Sequence, residues 1–176
     1  ANLKPDAVFV FFSGAGAAKF VKDYEASGLK ANLPLYAPGF LTDGTLDAMG
    51  GAGEGLLTTL HYADGLDNAK EKAFRSGYVA AYKIQPDVFA VQGYDSAQLL
   101  AAGLSKAPAG AFDKEAVMNA MSAATIDSPR GAFTLSKANN PVQDIYLRKA
   151  EGSQNKVIGV AAAKLADPAR GCKLMK

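Results

Sequence analysis

Apolar positions in this chain alternate between strand-like runs and helical spacing. Ala7 to Phe12 is an unbroken apolar run between Pro5-Asp6 and Ser13-Gly14. Such a run predicts a strand covered on both faces, as in a parallel sheet. Ala17, Phe20, Val21 and Tyr24 then recur at helical spacing, with Lys19, Lys22, Asp23 and Glu25 on the other side, and Gly28 closes the helix. Leu33 to Tyr36 predicts a second strand, ending at Ala37-Pro38-Gly39. Residues 39–54 are Gly-rich and read as loop, with one helical turn at Thr45–Met49 capped by Thr45. Gly55 to Tyr62 predicts a third strand.

Asp67 to Ile84 has a helical pattern, with Phe74, Gly77, Tyr78, Ala81 and Tyr82 on one face and Lys70, Glu71 and Lys83 wet. Pro86, near N1, opens a further helix from about Asp87 to Leu104. Its apolar residues go nearly all round, which predicts burial. A turn is expected at 107–111, then a helix capped by Asp113 and running to Ala124, with Val117, Ala120 and Met121 inward. Beyond Ser128-Pro129-Arg130-Gly131 the pattern turns to strands. Ala132–Leu135 is one; after the polar loop Lys137–Pro141, Gln143–Lys149 alternates, with Ile145 and Leu147 on one side and Asp144, Tyr146 and Arg148 on the other. A hairpin turn at Gly152–Asn155 leads to a return strand, Lys156–Ala162. Helix-strand order giving way to a meander is not a simple doubly wound domain. It suggests a chain that crosses between two lobes.

Composition narrows the chemistry. The net charge is +2, with no basic stripe, so nucleic acid is not an expected partner. No apolar run reaches membrane-spanning length. The chain holds one histidine, His61, and one cysteine, Cys172. That excludes a four-ligand Cys/His zinc site and a disulfide within the chain. Cys172 is either a free thiol or a bridge to a cysteine elsewhere. His61 reads as a surface residue at a strand edge. No leader pattern opens the chain, which in a mature or truncated chain leaves the compartment open.

Ser13-Gly14-Ala15-Gly16 sits where a strand runs into a helix, a place where backbone N–H groups and the helix dipole face a ligand. Lys19 stands where a dinucleotide fingerprint needs its third glycine, and no P-loop Lys-Ser/Thr follows. Two readings remain: a turn that permits close packing, or a non-catalytic ligand contact. Gly39-Phe40 should lie at the same end of the sheet. Phe89 is either core or the wall of a pocket, and Gln92, one turn on, is a candidate polar contact. Tyr94-Asp95 reads as a structural pair anchoring its helix. No nucleophile–base set can be built from one histidine and one distant cysteine. Asp43, Asp47 and Glu54 lie in the Gly-rich loop with no sign of apolar burial. No catalytic residue, metal ligand or cofactor is expected.

KPDAVFVFFSGAGAAKFVKDYEASGLK, PLYAPGF, AGEGLLTTLHY, FRSGYVAAYKIQPDVFAVQGYDSAQLLAAGL and TIDSPRGAFTLSKANNPVQDIYLRK occur in that order. Together they resemble the C-terminal half of a periplasmic binding protein of the type I, Leu/Ile/Val-receptor kind, over essentially the whole chain. The resemblance implies an α/β fold of two lobes, each a parallel sheet flanked by helices, joined by three crossovers. Residues 1–63 would belong to the second lobe, 67–140 to the first, and 143–176 to the second again. The N-terminal half would be absent. The implied function is that of the extracytoplasmic, periplasmic solute-binding component of an ABC importer, its signal peptide removed, with the importer's membrane subunits and the missing half as partners.

The same resemblance places Ser13, Gly14 and Ala15 against the ligand, with Ala15 where the family often has tyrosine, and makes Phe89 an aromatic contact. Gly39 falls where amino-acid receptors set an acid against the ligand ammonium, and Phe40 follows it. An unpaired buried ammonium is costly. The expected ligand is therefore a small aromatic acid, such as a benzoate or phenylpropanoid, with Phe40 and Phe89 as apolar faces. The chain also resembles family members that take up aromatic acids. The alternatives are binding of a branched-chain or other amino acid, with Asp43 as the acid, and a ligand-sensing module of a signalling receptor. Alone, the chain should bind weakly or not at all, and expose sheet edges and apolar surface.

Overall fold

The computed structural model describes residues 3–106 and 113–173. The turn expected at 107–111 lies outside them. The chain divides into two compact units, Ala1–Gly65 with Ile145–Ala161, and Leu66–Asp144 with Ala162–Lys176. Residues 162–173, expected to stay with 143–161, group with the second unit instead.

Unit 1 is built on β1 (Val8–Phe9), α1 (Gly14–Ala26), β2 (Leu35–Pro38), α2 (Leu46–Met49) and β3 (Leu57–Leu60). Most of β6 (Pro141–Glu151) and β7 (Gln154–Leu165) also belong to it. β1, β2 and β3 run parallel, and β6 pairs antiparallel with β3, placing Arg148 opposite Thr58. The helix predicted after the first strand forms. Its Ala17, Val21 and Tyr24 join Leu35, Ala37, Leu41, Leu46 and Met49 in one apolar core. The Tyr24 hydroxyl donates to the Leu33 carbonyl at 2.8 Å.

Two expectations for unit 1 fail. The first strand is short and is not buried on both faces: Phe9 is 72% and Phe11 64% exposed. β1 stands at the end of the strand order, with β2 as its ladder partner. Val8 and Val10 alone face the core, while Phe9 and its register partner Tyr36 share an exposed face. The loop at 39–54 is also more ordered than its glycines suggest, with 3-10 turns at Gly39–Leu41 and Gly50–Gly53 flanking α2. Thr45 precedes α2 as expected, but its Oγ1 donates to the Leu41 carbonyl instead of capping.

Unit 2 holds α3 (Ala69–Tyr82), α4 (Val88–Leu104), α5 (Lys114–Ser122), β4 (Thr125–Ile126), β5 (Phe133–Leu135) and the start of β6. Each helix starts on a side-chain cap: Asn68 accepts from the Glu71 amide, Asp87 from Ala90 and Asp113 from Ala116. Asp87 takes the cap position, so Pro86 precedes the helix and is not its N1 residue. β4, β5 and β6 form an antiparallel ladder.

The expectation that α4 is buried nearly all round is wrong. Val88, Val91, Asp95 and Gly103 are its buried residues, while Phe89, Leu100 and Leu104 are exposed. The helix packs on α5 and β4, along one side. Glu71, expected in water, is 1% exposed; Arg75, one turn on, holds its Oε1 at 2.9 Å, so the charge is buried with a partner. Asp95 anchors α4 as read from the sequence. Its Oδ2 accepts from Arg130 Nε at 2.7 Å and Ser128 Oγ at 2.9 Å, and the Arg130 guanidinium lies over the Phe133 ring.

Burial pushes the Tyr24 phenol above its ordinary value of 10.0, because the phenolate would lose its hydration. The neutral phenol therefore favours the folded state at all lower pH. That contribution is complete below pH 10 and is lost as pH rises through the folded-state value. Urea unfolding at about pH 8 and about pH 11 should show a smaller alkaline loss of stability in Tyr24→Phe than in the unaltered chain. Tyr24→Phe should also cost about 1 kcal/mol at neutral pH through the lost Leu33 bond.

Candidate functional site

The carboxyl ends of parallel strands are where α/β sheets present loops and helix N-termini. In unit 1 that end gathers the segments after β1 and β2. Ser13 is the N-cap residue of α1 in extended conformation, and its side chain makes no cap bond. Gly14 opens the helix at φ +57, in the left-handed region, with open space where a Cβ would stand; any other residue there would be strained. Ser13, Gly14 and Ala15 are exposed, and the first turn carries no acidic side chain. No carboxylate of the first turn therefore competes for the amide N–H groups at the positive end of the helix. After β2, Phe40 is half-buried and its ring meets Phe11 at 6.1 Å between centroids.

The base of this loop is fixed by a residue the sequence reading did not single out. Arg148 is 0% exposed. Its Nη1 donates to Asp43 Oδ2 at 2.6 Å and to the Tyr62 carbonyl at 2.9 Å. Nη2 donates to the Gly39 carbonyl at 3.0 Å, with Thr42 and Thr58 hydroxyls at 3.3 and 3.1 Å. Nε donates to Thr58 Oγ1 at 3.2 Å. Every nitrogen of the guanidinium is engaged, which is what a charge inside a fold requires.

This arrangement explains Gly39 and corrects Asp43. A Cβ built on Gly39 would lie 2.3 Å from Arg148 Nη2 and 2.6 Å from Leu60 Cβ. A side chain at 39 would therefore point into the guanidinium. Asp43, expected to lack burial, is 7% exposed, because Arg148 supplies its countercharge. Asp47 and Glu54 are exposed as expected, Glu54 accepting from the Gly152 amide.

Unit 1 thus brings Ser13, Gly14, Ala15, Gly39 and Phe40 to one end of its sheet. Phe89 and Gln92 belong to unit 2, in the first turns of α4. Phe89 is 57% exposed and so is not core; Gln92 is half-buried, its carbonyl accepting from Ser96 Oγ. Among the described residues no group of His, Cys, Asp and Glu could hold a metal ion. Cys172 is a free, exposed thiol. The signal for Arg148 was faint but present. It alternates with Ile145 and Leu147 along β6, beside the inward-facing Ala150.

Comparison with known proteins agrees with this architecture. Residues 1–156 match a family described as periplasmic binding protein. A solute-binding protein of an ABC transporter from R. palustris, solved in complex with benzoate, superposes with a TM-score of 0.92 at 53% identity. The match covers 98% of this chain and 48% of that one. A solute-binding protein from Rhodopseudomonas palustris BisB5, solved with 3,4-dihydroxybenzoic acid, is 30% identical with a TM-score of 0.83, covering 96% of this chain and 48% of that one. A Leu/Ile/Val-binding protein homolog from Brucella melitensis is 31% identical over 148 residues, which are 81% of this chain and 38% of that protein. The chain spans about half the length of these solved relatives, and less of the curated one.

Two substitutions test the loop base. Gly39→Ala should cost about 1–3 kcal/mol, since Leu60 Cβ and a guanidinium held on all sides must both give way. Arg148→Met should cost about 3–5 kcal/mol, because it leaves Asp43 buried without its countercharge. Urea unfolding measures both. Losses below about 0.5 kcal/mol, the range of ordinary surface changes, would show that the loop relaxes freely.

Proposed function

Because the chain belongs to the family of periplasmic binding proteins, we propose that it forms part of the solute-binding component of an ABC importer whose ligand is a small aromatic acid. The observation that carries this reading is the 53% identity, over 98% of the chain, with the protein solved with benzoate. Unit 1 adds physical support. Position 39 offers no side chain, and the carboxylate of Asp43 is held by Arg148. Neither is placed to pair with an amino-acid ammonium. The first turn of α1 favours an anion, and Phe40 offers a ring face.

On this reading unit 1 belongs to the second lobe of the receptor and unit 2 to the first. Ser13, Gly14, Ala15, Gly39 and Phe40 are the candidate ligand contacts of unit 1, and Phe89 and Gln92 those of unit 2. The protein works outside the cytoplasm, in the periplasm, and passes its ligand to the importer's membrane subunits. It does no chemistry on the ligand. Closure of two lobes supplies the affinity, because the ligand binds the closed state better than the open one. The part of the family's fold that this chain does not match supplies the remaining wall. The named function of the Brucella relative favours a second reading, in which a branched-chain amino acid is the ligand.

Titration of the chain with benzoate, 4-hydroxybenzoate and leucine, followed by calorimetry and by amide NMR shifts, separates the two. The aromatic acids should shift amides at 13–15 and 40, and leucine should not. Saturable leucine binding with no response to either benzoate would overturn the reading.

A further inference from the structure

Arg148 has no exposed surface, so it cannot touch a ligand, yet its reach is concentrated on the segment that presents Phe40. Three of its acceptors, the Gly39 carbonyl, Thr42 Oγ1 and Asp43 Oδ2, lie within five consecutive residues around that ring. The Gly39 carbonyl belongs to the peptide group that enters Phe40. The turn itself also uses this carbonyl, through the Thr42 and Asp43 amides at 3.0 and 2.9 Å. The guanidinium is anchored from the other side by Thr58 on β3 and the Tyr62 carbonyl. It thus ties the peptide before Phe40 to the sheet. The absence of a Cβ at Gly39 is what lets it approach.

Resting on the aromatic-acid reading above, we propose that Arg148 is a positioning residue for ligand recognition. Its hydrogen bonds to the 39–43 turn hold Phe40 against Phe11 in the orientation that receives an aromatic ring. Its charge is neutralised by Asp43 beneath the loop, so it acts through geometry and not by attracting the ligand's carboxylate. Lysine cannot replace it. An ammonium can reach Asp43 but cannot cover acceptors spread over three segments.

The test uses the full chain with Arg148→Lys and, separately, Thr58→Val, which removes one anchor of the guanidinium and leaves Asp43 paired. Three quantities are read on each: the melting temperature, the NMR cross-peaks between the Phe11 and Phe40 rings, and the benzoate titration. Arg148→Lys should weaken benzoate binding about tenfold or more, and Thr58→Val should weaken it by a smaller factor. In both, the Phe11–Phe40 cross-peaks should fade while those within the α1 core persist. A lowered melting temperature with unchanged cross-peaks and unchanged affinity of the folded fraction would overturn the proposal and leave Arg148 a stability residue only. Saturable binding of leucine and not of benzoate by the unaltered chain would overturn the aromatic-acid reading; where it binds neither, the ring cross-peaks decide the positioning role alone, and their persistence in both variants would overturn it.

Discussion

A single guanidinium holds the interior of unit 1 together. Arg148 sits on β6, yet its partners come from the turn after β2, from β3 and from the segment after β3. Burial of an isolated charge would be prohibitive. The surrounding chain is arranged so that it is not isolated: one carboxylate, two carbonyls and two hydroxyls converge on it. The cost falls on sequence variability. A side chain at position 39 would push the guanidinium and Leu60 aside, and position 43 needs a negative charge. What looks like a loose Gly-rich loop is a shell built around a cation.

Coverage in the two units is one-sided in a way their composition does not suggest. α1 lies on Val8 and Val10, while Phe9 and Tyr36 face solvent. In unit 2, Phe74, Tyr78, Tyr82 and Tyr94 form a row of rings, with Lys70 beside Tyr94. The groove they line stays open. Strands and helices of this apolar content are ordinarily covered on both sides. The chain matches about half the length of its solved relatives. Exposed aromatic surface on this scale is a solubility liability for the chain handled alone.

How much of this was legible in the sequence depended on whether a residue's environment is local. The helix capped by Asp113 could be placed because a cap and its amide lie three residues apart, whereas the start of α4 was read from Pro86 and its cap, Asp87, was missed. The strand at 143–149 showed its alternation, and the ordered motifs pointed to the family. The burial of Phe9, Phe11 and Phe89 was misjudged, because an apolar run states that a residue can be buried and not that a partner covers it. Asp43 and Glu71 were misjudged for the converse reason. Their burial depends on a guanidinium, which for Asp43 lies far along the chain. Arg148 itself was readable only as one side of an alternating strand. The candidate ligand contacts at 13–15 and 39–40 could be brought to one end of a sheet by β-α logic, but the reason Gly39 is glycine could not.

The separation between Arg148 and its acceptors has a kinetic meaning. The guanidinium lies 105 residues from Asp43 and 109 from Gly39. All of Leu66–Asp144, the main body of unit 2, is strung between them. Unit 2 can gather most of its contacts along one continuous stretch of chain. Unit 1 can seal its polar interior only when a very long loop closes, and loops of that length slow the search for native contacts. Until that moment Asp43 must stay hydrated and the turn around Phe40 has no anchor. Sequence separation of this size favours early consolidation of the segment that interrupts unit 1 and late ordering of the candidate ligand-facing loop.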